Sequence, residues 1–226
     1  WLWVWYHPED AAPLYEVVHL PEASDPDWTP YDIVEWKVFG SLQNMAENGV
    51  DFAHFKYIHG TAELPSSELS WGEWDRCGIV RAKMGTPKGM VDGAITSNSV
   101  GPGQAWVRFT GICETLLVAC IIPVEQDELQ VIYCYTQPRE QAEGPMAGLA
   151  RAIIKDVNKQ LDQDKVVWDR MRYEPNPIIC DGDGPIPHFR KFYQRFYAGG
   201  DGVPSSQRQA GCGVPTRRDL VAGGAA

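Results

Sequence analysis

The chain has 226 residues, with 30 Asp plus Glu against 20 Lys plus Arg and a formal net charge of −10 at pH 7. That acidity, with no Lys/Arg-rich cluster to reverse it locally, gives neither nucleic acid nor an anionic membrane surface a reason to bind. Hydrophobic residues at 44% and charged ones at 22% are ordinary for a folded domain. No apolar run approaches the roughly 20 residues of a membrane span, and no basic stretch precedes the hydrophobic start, so a cytoplasmic protein is expected. The six cysteines, Cys77, Cys113, Cys120, Cys134, Cys180 and Cys212, lack C-x-x-C spacing. They are read as free thiols, not a zinc ribbon or a disulfide framework.

In chain order, residues 1–6 (W-L-W-V-W-Y) are β-prone. Residues 8–30 are rich in Pro, Asp and Glu, and read as a connecting loop with one short strand at 15–20. Residues 34–39 read as a strand, after which Ser41 can cap a helix that runs into the most informative stretch.

Residues 44–59 hold Asp51, His54 and His59 as D-x-x-H-x-x-x-x-H. On a helix turning about 100° per residue, Asp51 and His54 lie about 60° apart, so the carboxylate can reach a ring nitrogen. Five residues on, His59 is rotated about 140° from His54, so both imidazoles share one ion only if the helix loosens or ends. Gly60 supplies such an end. Two neutral imidazoles suit iron, zinc, copper or nickel, and a carboxylate behind one of them would fix its tautomer. Two ordinary core or surface histidines are the alternative.

Between His59 and Ser70, glycine, proline and a serine pair read as a loop beside the site. Segments 71–84, 90–100, 105–111, 115–122 and 129–136 read as successive antiparallel strands separated by Gly, Pro or acidic turns. The 115–122 strand is apolar on both faces and should lie inside the sheet. Residues 146–173 contain no proline and carry Ile153, Val157, Leu161, Trp168 and Met171 at helical spacing. Strands followed by a long helix give an α+β class. Asp164 falls inside the apolar stripe beside Val157 and Trp168, unlike Asp156, Asp162 and Asp169. A carboxylate there is costly unless it is paired or metal-bound. A core arginine or tyrosine is one possible partner; a metal shared with the histidines is the other. Two imidazoles and one carboxylate leave positions open for O₂ and water, the arrangement of non-haem Fe(II) oxygenases. Residues 186–198 read as a short basic-aromatic helix whose Arg and Lys form a solvated face, and 199–226 as a disordered tail.

The run E-N-x-x-D-x-x-H-x-x-x-x-H at residues 47–59, with Gln163-Asp164-Lys165-Val166-Val167-Trp168, resembles the catalytic domain of Rieske-type non-haem iron oxygenases. Residues 176–185 and 189–197 resemble the steroid-acting branch, similar to the oxygenase component of 3-ketosteroid 9α-hydroxylase. The likeness spans roughly residues 1–198. It implies that His54, His59 and Asp164 ligate a mononuclear Fe(II), and that Asp51 relays electrons from a neighbouring subunit's Rieske [2Fe–2S] cluster. It also implies a helix-grip sheet similar to START lipid-transfer domains, with a hydrophobic, steroid-like substrate held against the long helix. O₂, NADH acting through a ferredoxin-type reductase, and a homotrimer of full-length subunits complete the implied system.

A Rieske cluster needs C-x-H and C-x-x-H. The histidines are His7, His19, His54, His59 and His188, and none stands two or three residues after a cysteine. The cluster domain is therefore expected on a missing N-terminal part. Residues 1–30 would be the remnant of its end and linker, 31–198 the iron catalytic domain, and the chain alone inactive. His7 and His19 are read as surface residues. Two competing classes remain: a START-like lipid- or sterol-binding module without catalysis, and a zinc hydrolase using Asp51 as general base.

Overall fold

Alternating polar and apolar residues make β1 (Asp32–Phe39), whose Val38 is fully buried while its neighbours are exposed. It joins β2 (Ser66–Trp71), β3 (Asp75–Thr86), β4 (Gly89–Val100), β5 (Gln104–Thr110), β6 (Thr115–Glu125) and β7 (Glu128–Thr136) in one antiparallel sheet, in the order β1-β7-β6-β5-β4-β3-β2. This computed structural model describes residues 1–61, 64–86, 89–180 and 182–198. Cys212 and the expected tail lie outside them.

Strands β3 to β7 fall where the sequence puts them, but β2 occupies part of the expected loop. It pairs with β3 from Ser66 opposite Arg81 to Trp71 opposite Arg76, and the turn between them is closed by the Gly72 N–H donating to the Asp75 carbonyl at 2.9 Å. An edge strand needs apolar residues on one face only, so a serine-rich segment with Leu69 and Trp71 suffices.

Residues 1–6 and 15–20 are not strands. Their polar groups find other partners: the Val18 N–H donates to Gln104 Oε1 at 2.7 Å and Trp5 Nε1 to the Ala11 carbonyl at 2.8 Å. The N-terminal segment is laid over one face of the sheet, where Leu20, Trp28 and Tyr31 pack on Leu116, Val118, Cys120 and Cys134. That cover explains why β6, held between β5 and β7, is apolar on both sides.

Helices occupy the opposite face. Helix α1 (Leu42–Glu47) is capped as expected, Ser41 Oγ accepting from the Asn44 N–H at 3.2 Å. It is followed by α2 (Ala53–Tyr57), the short α3 (Arg139–Ala142), the long α4 (Ala147–Trp168) and α5 (Ile186–Tyr193). Helix α4 lies against β1 and β7, its Leu161 and Trp168 packing with Val38, Leu129 and Val131. Trp36 Nε1 donates to Asp162 at 2.9 Å and Tyr135 Oη to Asn158 at 2.7 Å, fixing the helix along the sheet. The helix stops at Trp168, short of residue 173, and Met171 lies exposed beyond it. The result is the α+β arrangement expected, a long helix packed across an antiparallel sheet. Among the described residues no helix is long and apolar enough to cross a membrane.

The basic face expected on α5 is solvated only in part. Lys191 is exposed, but Arg190 donates from Nε and Nη2 to the two carboxylate oxygens of Glu47, each at 2.8 Å, and ties α5 to α1. Strands β1 and β2 are the two outermost strands, so the chain carrying α1 and α2 crosses from one margin of the sheet to the other.

Candidate metal centre

His54 is the second residue of α2 and is 8% exposed, and α2 ends at Tyr57. The His59 N–H reaches back five residues to the His54 carbonyl at 3.2 Å, and the Thr61 N–H to the Phe55 carbonyl at 3.0 Å. Gly60 between them has φ +74°, the left-handed conformation that glycine adopts freely. This loosened turn swings His59 back beside His54: the ring centroids lie 5.0 Å apart with planes inclined at 83°.

Asp164, one turn beyond Leu161 on α4, is 8% exposed and meets them. One ligand atom from each of His54, His59 and Asp164 lies within 4.8 Å of the others, and Asp164 Oδ1 is 3.3 Å from His59 Nε2. His59 Nδ1 donates to Gln163 Oε1 at 3.1 Å, and His54 Nδ1 donates to the Asp51 backbone carbonyl. With both Nδ1 atoms committed as donors, both Nε2 atoms keep their lone pairs. Asn48 Nδ2 stands 3.5 Å from His54 Nε2 and 3.5 Å from Asp164 Oδ2.

The electrostatics differ between the rings. Burial lowers the His54 pKa, outweighing the Asp164 and Asp51 carboxylates, and so favours its neutral, ligating form. Burial also acts to lower His59, but hydrogen bonding and charge from Asp164, with the bond to Gln163, carry its pKa above the ordinary histidine value.

Asp51 is placed differently from expectation. Its carboxylate does not reach the His54 ring; Oδ1 accepts from the Ala53 N–H at 3.0 Å, and the backbone carbonyl takes the ring's N–H instead. The stretch between α1 and α2 is not helical, so the 60° offset never applied. The roles of Asn48 and Gln163 were missed in the sequence, although both stand inside the motifs: each adjoins or faces a histidine in a way that only tertiary structure sets. No disulfide forms among the described residues, and burial pushes the thiols of Cys120 and Cys134 up to about 11 and about 12, so neither is a thiolate ligand.

His54 and Asn48 line two cavities. One, of ≈ 240 Å³, lies between the sheet and the helices and is walled largely by apolar side chains such as Phe55, Val107, Leu117, Ile121, Trp168 and Phe192. The other, of ≈ 250 Å³, lies toward α4 and is lined by Asp51, Tyr57, Asp164 and Val167. The donor set fits iron: two imidazole nitrogens with their rings oriented from behind, one carboxylate, and open space beside them.

The fold is that of the catalytic domain of a Rieske-type oxygenase. The chain belongs to the family described as the 3-ketosteroid 9alpha-hydroxylase C-terminal domain, whose model matches residues 4–197. It is 25% identical over 215 residues to a probable 3-ketosteroid-9-alpha-monooxygenase oxygenase component of Rhodococcus rhodochrous, covering 87% of this chain and 54% of the relative. It is 29% identical over 217 residues to a 3-ketosteroid-9-alpha-monooxygenase oxygenase component of Mycolicibacterium smegmatis (87% and 55% covered), and 24% identical over 226 residues to a cholesterol 7-desaturase of Caenorhabditis elegans (87% and 52%). The chain thus spans about half the length of the curated relatives it matches. Among solved structures, dicamba monooxygenase bound to dicamba shares the fold at TM-score 0.61 and 11% identity, over 84% of this chain and 63% of that one.

Proposed function

We propose that this chain is the catalytic domain of an O₂-dependent monooxygenase that hydroxylates a hydrophobic, steroid-like substrate. Convergence of the His54, His59 and Asp164 ligand atoms within 4.8 Å carries this assignment. His54 and His59 through Nε2, and Asp164 through its carboxylate, would hold a mononuclear Fe(II). When bound, that ion supplies oxygen activation at the positions the three side chains leave open.

The chain's own residues do the rest. The Asp51 carbonyl and Gln163 fix the two imidazoles in the ligating tautomer, and Asn48 keeps a donor between His54 and Asp164. The apolar cavity wall binds the substrate body and excludes water from it. Substrate class is supported by the relatives' names, which pair a ketosteroid oxygenation with a sterol desaturation.

In the full-length protein, electrons would pass from NADH through a ferredoxin-type reductase and a Rieske [2Fe–2S] cluster lying outside residues 31–198. We assign Asp51 the relay from a neighbouring subunit's cluster in a homotrimer; its support is that Asp51 and His54 line the same cavity on the α4 side.

Anaerobic Fe(II) loading tests the metal assignment. About one iron per chain is expected in the wild type, and loss of that iron in His54→Ala and Asp164→Ala. Iron retained in both variants, or taken up by neither variant nor wild type, would leave a lipid-binding module as the better description.

A further inference from the structure

The polar end of the apolar cavity is built around a cation. Arg76 stands on β3 in the sequence D-R-C-G-I-V, where strand alternation places Arg76, Gly78 and Val80 along the cavity wall. It is 6% exposed. Its Nη1 donates to the Gly49 carbonyl at 2.9 Å, whereas Nε is buried with no hydrogen-bond partner. Among the described residues it forms no ion pair with any carboxylate.

A buried guanidinium stays charged near neutral pH, and a single carbonyl dipole does not neutralise it. Burial lowers its pKa, outweighing the neighbouring Cys77 thiol, which acts to raise it. Space for it comes from two glycines: a Cβ at Gly49 would lie 2.6 Å from Nη2, and one at Gly78 would lie 3.1 Å from Nη1. Ser99 faces Arg76 across the β3–β4 pair, and Ser97 and Asn98 line the cavity beside it. Such an uncompensated charge, desolvated beside a ligand cavity, calls for an anion from the ligand.

Building on the assignment of this cavity to substrate, we propose that Arg76 binds a carboxylate at one end of an otherwise apolar substrate. The substrate class is thereby an apolar carboxylic acid. With Nη1 committed to Gly49 and Nε left without a partner, the guanidinium keeps donor capacity that a carboxylate entering the cavity would take up. The opposite end of the molecule would then extend along the apolar wall toward His54.

The test is a matched probe pair, the steroid acid lithocholate and its methyl ester, titrated by calorimetry into the full chain both before and after Fe(II) loading. In the iron-free chain the carboxylate has no metal to bind, so preference there reports the arginine. Wild type is expected to bind the acid about tenfold or more tightly than the ester. Arg76→Gln is expected to abolish the preference and Arg76→Lys to keep part of it, both retaining iron stoichiometry. Equal binding of acid and ester, binding of neither, or a preference that survives Arg76→Gln would overturn the proposal. Should the variants fail to fold, the wild-type comparison alone decides it. Iron uptake is read separately, so failure of the metal assignment and failure of the carboxylate site are distinct results.

Discussion

Gln163 accepts a hydrogen bond from Nδ1 of His59 at 3.1 Å while the next residue, Asp164, faces Nε2 of the same ring at 3.3 Å. Two consecutive side chains of α4 thus address opposite edges of one imidazole. The first orients the ring, and the second is its companion in the cluster. Gln163→Leu should keep all three ligands yet weaken Fe(II) binding by roughly 10- to 100-fold, the usual cost of losing a partner behind a ligating histidine. Anaerobic competition against a chelator of known affinity measures it; unchanged affinity would remove Gln163 from the site.

Acidification should release iron, and His59 sets where. Its pKa is raised by Asp164 and Gln163 against the opposing effect of burial, so in the metal-free chain it takes up a proton at higher pH than a free histidine does. Protonated imidazole cannot ligate, so proton competition begins above the ordinary histidine range and strengthens as pH falls. His54, lowered by burial, takes up its proton at lower pH than His59 and so is the second of the two to compete. Iron retained after gel filtration between pH 8 and 5 gives the curve, and a His59 titration in the iron-free chain, followed by NMR, that Asp164→Asn leaves unmoved would contradict this account.

Gly60 tests backbone conformation apart from sterics. No atom lies within 4 Å of a Cβ added there, yet φ is +74°. Gly60→Ala should therefore destabilise the iron-free chain by about 1 kcal/mol from conformation alone and weaken Fe(II) binding through displacement of His59. Gly60→Asn should do so less, because asparagine tolerates the left-handed region. Urea denaturation and iron titration of both variants make the comparison.

The Arg190–Glu47 pair joins α5 to α1 with two 2.8 Å bonds, and its side chains are 16% and 15% exposed. Removing one partner leaves the other's hydrogen-bonding groups unmet, so Arg190→Met and Glu47→Gln should each cost about 1–3 kcal/mol. The double variant should cost less than the sum of the two single ones. Chemical denaturation of the three variants supplies the cycle, and strict additivity would show that the pair contributes nothing of its own.

Much of this site could be read in the sequence where local structure is regular. Helix α4 keeps one period from Ala147 to Trp168, so placing Asp164 on the face shared with Leu161 and Trp168 follows from rotation per residue. The same arithmetic failed for Asp51, because the chain between α1 and α2 leaves the helix and a main-chain carbonyl takes the place assumed for its carboxylate. Strand β2 has the sequence of a loop, because a two-residue apolar alternation among serines is weak until β3 lies beside it. Arg76 gave no cue at all: a lone arginine in a strand has the look of a surface residue, and only sheet register and the overlying helices enclose it. The N-terminal segment misled for the opposite reason, its tryptophans serving as covering material and not as strand.

The route of the chain between β1 and β2 has a further consequence. Those strands border opposite sides of the sheet, separated by six inter-strand gaps or roughly 29 Å. The piece bearing His54 and His59 is therefore a bridge anchored at both banks, and Asp164 waits on a helix supplied by the later half of the polypeptide. The two anchorages are not held at that separation until the intervening hairpins have zipped up, which makes the three-residue pocket a late product of folding. Metal added to nascent or partly denatured chains should thus find little to hold it, and loading should track completion of the sheet.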